Sequence, residues 1–350
     1  MKLDQLIERA KLKKASDIHI TANNFVYFRI HGILLKQEIF LSTEIVSEYF
    51  SLLIQGSGSL RETFYTHGSI DLGYSIEEQR FRINLYNARG VMNIAIRILN
   101  HNPATYDELN IPSHIRAVSG LSEGLVLITG ITGSGKTTTG SSIISDINDK
   151  YNKHIITLED PIEYVYKSNE SKISQRQLGD DVKSFSYGLR DALREDPDVI
   201  YVGEMRDQTS MSFSLEAAET GHLVLSTLHA QGTVRSIQRL IDAFPLDHRH
   251  TMAQRMAGSL RAIISQSLLI AKDGSRRYLV TEFLQGTPEV QNLIYNMEFD
   301  ELDRRLTLGK VGVPFIEDYN KVKDFVIPTN YFLDLEEKRN LARFNSIAKM

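Results

Sequence analysis

The sequence predicts an α/β protein in which a parallel, doubly wound sheet follows a smaller α+β domain. From about residue 125 onward, apolar strands alternate with helices, and a glycine-rich turn joins the first of these strands to a helix. The first hundred residues instead show short strands of mixed pattern around a few helices. A parallel sheet binds its ligands at the carboxyl ends of its strands, so the candidate site is expected there.

The amino-terminal region has the pattern of a small α+β domain. Apolar residues at helical spacing predict a helix from residue 3 to 14, and a second helix is expected near 43–54. Short strands are predicted at 18–20, 26–30, 33–35, 70–74, 80–86 and 92–98. Residues 55–59, rich in glycine and serine, are expected to form a surface turn.

The second region carries the strands of the parallel sheet. They are predicted at 125–128, 155–158, 199–202, 223–227 and 278–283. Pro103 and Pro112 punctuate a polar connection between the two regions. The predicted organisation is an amino-terminal domain (1–100), a linker (101–114), a second domain (115–290) and a charged, helical carboxyl-terminal region (291–350).

The composition is that of an ordinary soluble globular protein. The 350 residues are 42% hydrophobic and 24% charged, which is enough for two domains with full cores. The net charge of −4 gives no basic field for sequence-independent nucleic-acid binding. The absence of cysteine excludes disulfides and thiolate metal sites. No stretch approaches the roughly 20 apolar residues of a membrane span, so we expect a cytoplasmic protein.

A glycine-rich segment at residues 130–137, Gly-Ile-Thr-Gly-Ser-Gly-Lys-Thr, fits the phosphate-binding pattern G-x-x-x-x-G-K-[ST]. Its glycines allow positive φ, and the N-terminus of the following helix attracts anions. Lys136 is expected to reach the β- and γ-phosphates of a nucleoside triphosphate, and the Thr137 hydroxyl to bind Mg²⁺. The residues expected to contact the nucleotide are Gly130, Thr132, Gly133, Ser134, Gly135, Lys136, Thr137 and Thr138. A chance glycine-rich turn is the alternative, and the apolar strand and helix on either side argue against it.

Carboxylates follow two of the predicted strands. Glu159, Asp160 and Glu163 end the strand at 155–158, where they could hold Mg²⁺-bound water or activate the attacking water. A solvated acidic loop is the alternative interpretation. Glu204 closes the strand at 199–202 and is the expected second metal element.

Two histidines lie at opposite ends of the strand at 223–227. His229 follows the strand, on the phosphate side, and is the better candidate for contacting the γ-phosphate. His222 precedes the strand and is equally consistent with packing or hydrogen bonding.

Arginines of the first domain are a further candidate. Arg80 and Arg82 lie on one face of a strand by the period of two, and Arg97 follows on a later strand. An arginine that meets the transition-state charge accelerates phosphoryl transfer by about 10³–10⁵-fold, often from another subunit. The residues alone favour ordinary surface arginines.

The order of these motifs resembles that of the secretion ATPases of type IV pili. The resemblance runs from about residue 15 to 290, and it is strongest to the retraction ATPases of the PilT family. The matching segments are Ser16-Asp17-Ile18-His19, the phosphate loop, Glu159-Asp160-Pro161-Ile162-Glu163, Leu193-Arg194-Glu195-Asp196-Pro197-Asp198, Val202-Gly203-Glu204-Met205-Arg206-Asp207, Ala217-Ala218-Glu219-Thr220-Gly221-His222, Ser259-Leu260-Arg261-Ala262-Ile263-Ile264-Ser265-Gln266 and Gly286-Thr287-Pro288.

This resemblance implies a homohexamer with a PAS-like amino-terminal domain and a RecA-like motor domain. It implies ATP between subunits, docking on an inner-membrane platform protein of the pilus machinery, and removal of pilins from the fibre base by hydrolysis. The protein would then be peripheral at the inner face of the cytoplasmic membrane.

The resemblance also implies roles for individual residues. Lys136 and Thr137 would bind phosphate and Mg²⁺, with Glu204 supporting Mg²⁺ and Glu163 as the candidate general base. His222 and His229 correspond to the histidine box. Arg82 and Arg97 match the arginines that reach a neighbour's γ-phosphate, and Arg80 is structural.

One departure leaves the direction of the motor open. Retraction ATPases carry the signature Ala-Ile-Arg-Asn-Leu-Ile-Arg-Glu, of which residues 289–296 keep only Asn292-Leu293-Ile294. The first alternative is an ATPase for pilus or pseudopilus assembly or for competence (DNA uptake). The expected lack of a long amino-terminal extension and the absence of zinc-binding cysteines argue against it.

Two further alternatives belong to other functional classes. A nucleotide-dependent regulator with little turnover would not need Glu163, Glu204 and His229 together. A DNA translocase is disfavoured by the acidic net charge.

Overall fold

The computed structural model describes residues 1–30, 33–55, 58–76, 79–99, 103–274 and 276–337, apart from the side chain of Ser59. It divides into two compact units. The first comprises residues 1–102 with 163–165, and the second comprises residues 103–162 and 166–350.

The first unit is built on a six-stranded sheet with the strand order β3-β2-β1-β6-β5-β4. Every neighbouring pair in it is antiparallel. Its elements are α1 (Leu3–Leu12), β1 (Ala15–Thr21), β2 (Asn24–Ile30), β3 (Ile33–Leu41), α2 (Thr43–Leu53), α3 (Gly58–His67), β4 (Ser69–Ile76), β5 (Gln79–Ala88) and β6 (Val91–Ile98). Alternate residues such as Ile18, Phe28 and Phe81 are fully buried between the sheet and the helices.

One expectation for this unit was wrong in part. Of the turn expected at 55–59, Gln55 does lie in a turn, but α3 begins at Gly58, and Gly56 and Ser57 lie outside the described residues. Helix α3 has little amphipathic signal, and its apolar anchor is Phe64, whose ring centroid lies 4.6 Å from that of Phe50 in α2. Tertiary packing, which a local pattern does not show, stabilises this helix.

The second unit contains an eight-stranded sheet with the strand order β14-β13-β12-β7-β11-β10-β8-β9. The elements up to the end of its central strand β11 are α4 (Ser113–Arg116), a 3₁₀ turn (Ala117–Gly120), β7 (Gly124–Thr129), α5 (Lys136–Lys150), β8 (His154–Glu159), β9 (Lys172–Gln177), α6 (Phe185–Ala192), β10 (Val199–Val202), α7 (Gln208–Glu219) and β11 (Leu223–Leu228). The remaining elements are α8 (Thr233–Asp242), α9 (Leu246–Ser259), β12 (Leu260–Ile270), β13 (Arg277–Gln285), α10 (Pro288–Tyr295), α11 (Phe299–Thr307), β14 (Gly312–Val313) and α12 (Phe315–Val322).

The sheet is mixed rather than wholly parallel. Strands β9, β8, β10, β11, β7 and β12 pair in parallel. At one edge of the sheet, β13 pairs antiparallel with β12, and β14 pairs antiparallel with β13. The strand predicted at 278–283 is β13, and its direction follows from the short turn after β12, since a parallel crossover needs a dozen residues or more. Strands β9, β12 and β14 were not predicted.

Both faces of the sheet are covered. Along β7, Leu125 and Leu127 pack with the helices α6 to α11, whereas Val126 and Ile128 pack with α5 on the opposite face. This explains why β7 is a continuous apolar run with every residue buried. Polar ligands are therefore confined to the ends of the strands.

The segments predicted as a linker and as a carboxyl-terminal region both contribute to the second unit. Residues 101 and 102 lie outside the described part, but Tyr106 and Ile111 are buried in the core beside α5. Beyond α12, residues 330–337 are helical, and Phe332 packs with Phe315 and Tyr319 against β12 and β13. Residues 338–350 lie outside the described part. Among the described helices, none combines the length and the apolar character needed to cross a membrane.

Candidate nucleotide-binding site

The phosphate loop joins β7 to α5, as its sequence predicted. Gly130 and Gly135 have φ values of 151° and 87°. A Cβ atom on Gly130 would lie 2.4 Å from the Ser134 Oγ and 2.5 Å from the Gln266 carbonyl oxygen, so no larger residue fits there. Helix α5 begins at Lys136, directly after the loop, and its first backbone N–H groups are available to an anion.

The Lys136 side chain is held inside this loop. Its Nζ donates hydrogen bonds to the carbonyl oxygens of Gly130 (2.9 Å) and Ile131 (3.0 Å). The nearby Ser134 Oγ is buried without a hydrogen-bond partner among the described residues. A buried ammonium and an unsatisfied hydroxyl in a loop of this geometry fit a phosphate group, whose oxygens would accept from both.

A chain of polar contacts extends from Lys136 along the carboxyl edge of the sheet. The Lys136 Nζ lies 3.3 Å from the His229 Nδ1, and the His229 Nε2 lies 3.3 Å from the Glu204 Oε1. Arg206 donates from Nε to the other Glu204 oxygen (2.8 Å) and from Nη1 to Asp160 (2.9 Å). Lys136 follows β7, His229 follows β11, Glu204 and Arg206 follow β10, and Asp160 follows β8. These four strands are neighbours in that order, so the contacts run across the sheet from strand to strand. We call Lys136, His229, Glu204, Arg206 and Asp160 the edge network.

His229 lies at the centre of the edge network. Burial and the positive charge of Lys136 lower the pKa of its imidazole, and the nearby Glu204 carboxylate acts in the opposite direction. The imidazole is therefore favoured in its neutral form at neutral pH. Arg239 of α8 also donates to the His229 carbonyl oxygen, which ties the loop after β11 to that helix.

The three carboxylates after β8 have separate surroundings. Glu159 is only 4% exposed and accepts hydrogen bonds from Thr157 (2.6 Å) and Gln175 (3.1 Å). Asp160 belongs to the edge network, whereas Glu163 is grouped with the first unit. The geometry of the second unit therefore brings one of these three carboxylates into the edge network.

The structure places His222 away from the phosphate loop. Its Nδ1 lies 3.0 Å from the Ala217 carbonyl oxygen and 3.2 Å from the Thr220 hydroxyl, in the turn between α7 and β11. The six residues of β11 separate it from the site by roughly 20 Å of strand. Within this unit His222 is a hydrogen-bonding residue of a turn, and its expected role at the nucleotide finds no support in this geometry.

Arg82 and Arg97 lie on the first unit, directly opposite each other on β5 and β6. Opposed residues of an antiparallel pair share one face of the sheet, and both arginine side chains are exposed. Arg97 pairs with Asp17 at 2.9 Å, and Arg82 pairs with Asp71 at 3.6 Å. Two adjacent guanidinium groups on an open sheet face are suited to binding an anion.

Sequence reasoning missed two residues of the site. Gln266 on β12 is 1% exposed and donates to the Ser134 carbonyl oxygen (2.6 Å), which fixes the phosphate loop from the neighbouring strand. The available signal was a polar triplet, Ser265-Gln266-Ser267, between two apolar stretches. Arg206 belongs to the family-like segment at 202–207, but no role was predicted for it. In the structure it pairs with both Glu204 and Asp160.

A magnesium ion fits this donor set through the nucleotide. The described residues contain no group of three or more histidine, aspartate or glutamate side chains placed to hold a metal by themselves. Mg²⁺ in nucleotide sites takes one or two protein oxygens and completes its shell with phosphate oxygens and water. Thr137 and Glu204 are the side chains that would supply those protein contacts.

Comparison with known proteins identifies the family. The family model of the type II/IV secretion system proteins matches residues 1–309. A twitching motility protein of Neisseria gonorrhoeae is 39% identical over 286 residues, which cover 81% of this chain and 76% of that protein. The type IV pilus retraction ATPase PilT of Pseudomonas aeruginosa is 34% identical over 297 residues, covering 84% and 85% of the two chains.

The fold agrees with the same assignment. A crystal structure of the pilus retraction motor PilT with bound ADP matches with a TM-score of 0.87 and 35% identity, over 96% of this chain and 97% of that one. This match confirms the predicted fold class of an α/β motor domain after a smaller domain. The chain therefore belongs to the type II/IV secretion system protein family and, within it, to the PilT family, as the order of its motifs predicted.

Proposed function

We propose that this protein is a homohexameric motor that hydrolyses ATP to drive retraction of a type IV pilus. The observation that supports this most directly is the edge network beside a phosphate-binding loop, in a chain of the PilT family. A module that only binds nucleotide would not need a carboxylate, an imidazole and a guanidinium aligned with the phosphate-binding lysine.

Different residues of the second unit would bind the phosphates, hold Mg²⁺ and contact the reacting groups. Lys136 would exchange the carbonyl oxygens of Gly130 and Ile131 for phosphate oxygens, and the first N–H groups of α5 would bind the same anion. Bound Mg²⁺ neutralises phosphate charge, and Thr137 and Glu204 would hold it. His229, kept neutral, is available to hydrogen-bond the terminal phosphate or the attacking water.

Residues outside the second unit complete the proposed reaction. Glu163 is the proposed general base. Arg82 and Arg97 would contact the terminal phosphate of a neighbouring subunit, where two guanidinium groups offset the negative charge of the transition state. Catalysis would then require the ring, and nucleotide turnover would change the arrangement of subunits.

Partners and location belong to the same proposal. The ring would dock on the inner-membrane platform protein of the pilus machinery from the cytoplasmic side, and ATP rather than GTP would be the substrate.

The test combines steady-state ATPase activity with size analysis of the full chain and of Arg82→Ala. We expect a hexamer whose turnover falls by about 10³-fold or more in the variant while nucleotide binding is retained. Arg61→Ala, on the exposed side of α3 in the same unit, is the matched control and should keep wild-type turnover. Wild-type protein that remains monomeric and does not hydrolyse ATP would contradict the motor.

A second candidate is a motor of the same kind that drives pilus assembly or competence. Helix α10 lacks the two arginines of the retraction signature, and its Glu289 pairs with Arg305 of α11. Deleting the gene separates the two directions: loss of a retraction motor leaves surface fibres in place or in excess, whereas loss of an assembly motor leaves none.

A further inference from the structure

A buried carboxyl group on β13 contacts the start of α8, the helix that follows residues 229–232. These residues carry His229, and we call them the His229 loop. Glu282 is 7% exposed, and its Oε1 accepts hydrogen bonds from the backbone N–H (2.7 Å) and the hydroxyl (2.9 Å) of Thr233. Thr233 is the first residue of α8, which begins four residues after His229. The residue that precedes this helix is Gly232, which has no side chain to cap it. Glu282 therefore supplies the acceptor that the local sequence lacks.

The backbone N–H of Phe315 also lies close to this carboxyl group, where it opposes the rise in pKa that burial causes. Phe315 is the first residue of α12, and its preceding residue, Pro314, likewise offers no side-chain acceptor. One carboxyl group thus lies at the N-terminus of α8 and close to that of α12, where backbone N–H groups need an acceptor. Of these helices, α8 holds the His229 loop and α12 belongs to the carboxyl-terminal region.

Further hydrogen bonds hold the His229 loop on the side of α8. The Gly232 N–H donates to the Ser265 hydroxyl on β12 (2.9 Å), and Ser265 is the direct partner of Glu282 in the β12–β13 ladder. Arg239, in the last part of α8, donates to the His229 carbonyl oxygen. A shift of α8 would therefore move both the Arg239 contact and the chain that leads to His229.

Stability alone does not explain a buried carboxyl group at this position. Burial raises the pKa of the Glu282 carboxyl, and the hydrogen bonds from Thr233 reduce that rise without cancelling it. Buried ionisable groups are often no better for stability than apolar residues of similar size. What this carboxyl group provides, and an apolar residue could not, is an acceptor at the N-terminus of α8 that also lies close to the first residue of α12.

We propose that Glu282 is a positioning residue, which holds α8 and the His229 loop in the geometry for turnover and links that loop to the carboxyl-terminal helix α12. The turnover part of this inference rests on the proposed ATPase function. The capping part does not.

The test compares Glu282→Ala with wild type in the full-length protein. We expect kcat for ATP to fall by about ten- to a hundredfold, because displacements of about 1 Å at a catalytic group cost that much. Affinity for a non-hydrolysable ATP analogue should stay within about threefold, since the phosphate loop is held separately by Gln266. Glu282→Gln keeps one acceptor oxygen and should recover much of kcat.

Asp318→Ala is the matched control. Asp318 is 6% exposed and accepts a hydrogen bond from the Thr281 N–H (3.2 Å), so it joins α12 to β13, and none of its hydrogen bonds among the described residues reaches α8. Its replacement should lower the melting temperature but leave kcat within about twofold of wild type. Equal loss of kcat in Glu282→Ala and Asp318→Ala would overturn the proposal, as would wild-type kcat in a folded Glu282→Ala.

Two further measurements keep the outcome decisive. If Glu282→Ala does not fold, Thr233→Val is tested in its place. This variant removes one of the two hydrogen bonds to the carboxyl group and should lower kcat several-fold, and unchanged kcat would overturn the proposal.

If the wild type itself shows no turnover, the proposed function fails, and hydrogen exchange then tests the cap alone. Amides of the loop and the first turn of α8 should exchange faster in Glu282→Ala, with β7 unchanged as an internal reference, and unchanged exchange there would contradict the cap.

Discussion

The two ends of the eight-stranded sheet use similar side chains for opposite purposes. At the carboxyl edge, Lys136, His229, Glu204 and Arg206 contact one another through their side chains, and Lys136 also donates to two carbonyl oxygens of the phosphate loop. At the amino edge, charged and imidazole groups are bound mainly to backbone atoms of the turns around them. Side chains that contact other side chains can be rearranged by a bound ligand, whereas side chains bonded to the backbone are held in place by the chain.

The turns at the amino edge illustrate the second type. Asp198 accepts from the His154 N–H (2.8 Å) and from the Lys153 Nζ (3.1 Å), while His222 is bound to Ala217. Burial of Asp198 disfavours its charge, but the hydrogen bonds from His154 and Lys153 outweigh that cost and lower the pKa of its carboxyl. Such groups stabilise the turns between elements and are not expected to take part in chemistry.

The largest effect is expected at Lys136. Lys136→Ala removes the buried ammonium from the phosphate loop, and we expect nucleotide affinity to fall by about a hundredfold or more. Titration calorimetry with ATP and Mg²⁺ measures this. Lys150→Ala is the control, since Lys150 ends the same helix in an exposed pair with Asp146. Unaltered binding in Lys136→Ala would remove the basis for distinguishing the two edges.

An effect of intermediate size on turnover is expected at the two histidines that flank β11. Because they lie at opposite ends of the same strand, they compare the two edges directly. His229→Ala should lower kcat by about tenfold or more with little change in melting temperature, because it removes the centre of the edge network. His222→Ala should leave kcat unchanged and lower stability by about 1 kcal/mol, because it removes contacts of a turn. Assays of turnover and thermal unfolding on both variants decide this, and the reverse pattern would refute the assignment.

The smallest effect is expected at Asp198. Its pKa is lowered in the folded state, so its contribution to stability is present above the unfolded value of about 3.9 and is lost as pH falls through the folded value. Because the side chain is 42% exposed, Asp198→Asn should cost less than about 1 kcal/mol at pH 7. The difference from wild type in urea unfolding should shrink on acidification, and a difference that grew instead would reverse the sign of this linkage.

The sequence predicted the parts of the site that depend on order along the chain. Lys136, Glu204 and His229 each follow a predicted strand, and the carboxyl ends of parallel strands meet at one edge, so their proximity could be inferred. The antiparallel direction of β13 and the helix α3 could not, since the first depends on a short turn and the second on packing against Phe50.

Residues that act across the fold were also beyond local patterns. Gln266 and Glu282 each contact a segment far away in sequence, through hydrogen bonds to Ser134 and to Thr233. Strand β12 had not been predicted, and without it neither contact could be anticipated. The roles of Glu163, Arg82 and Arg97 remain predictions of the family resemblance.

The alternation of side chains along β12 has a consequence for how this chain can vary in length. Ser265 and Ser267 accept hydrogen bonds from Gly232 and Gln231 on one face, while Gln266 reaches the phosphate loop on the other. Inserting or deleting one residue within β12 would exchange these faces and break both sets of contacts at once. We therefore expect insertions and deletions to be tolerated in the turns on either side of β12 but not within the strand.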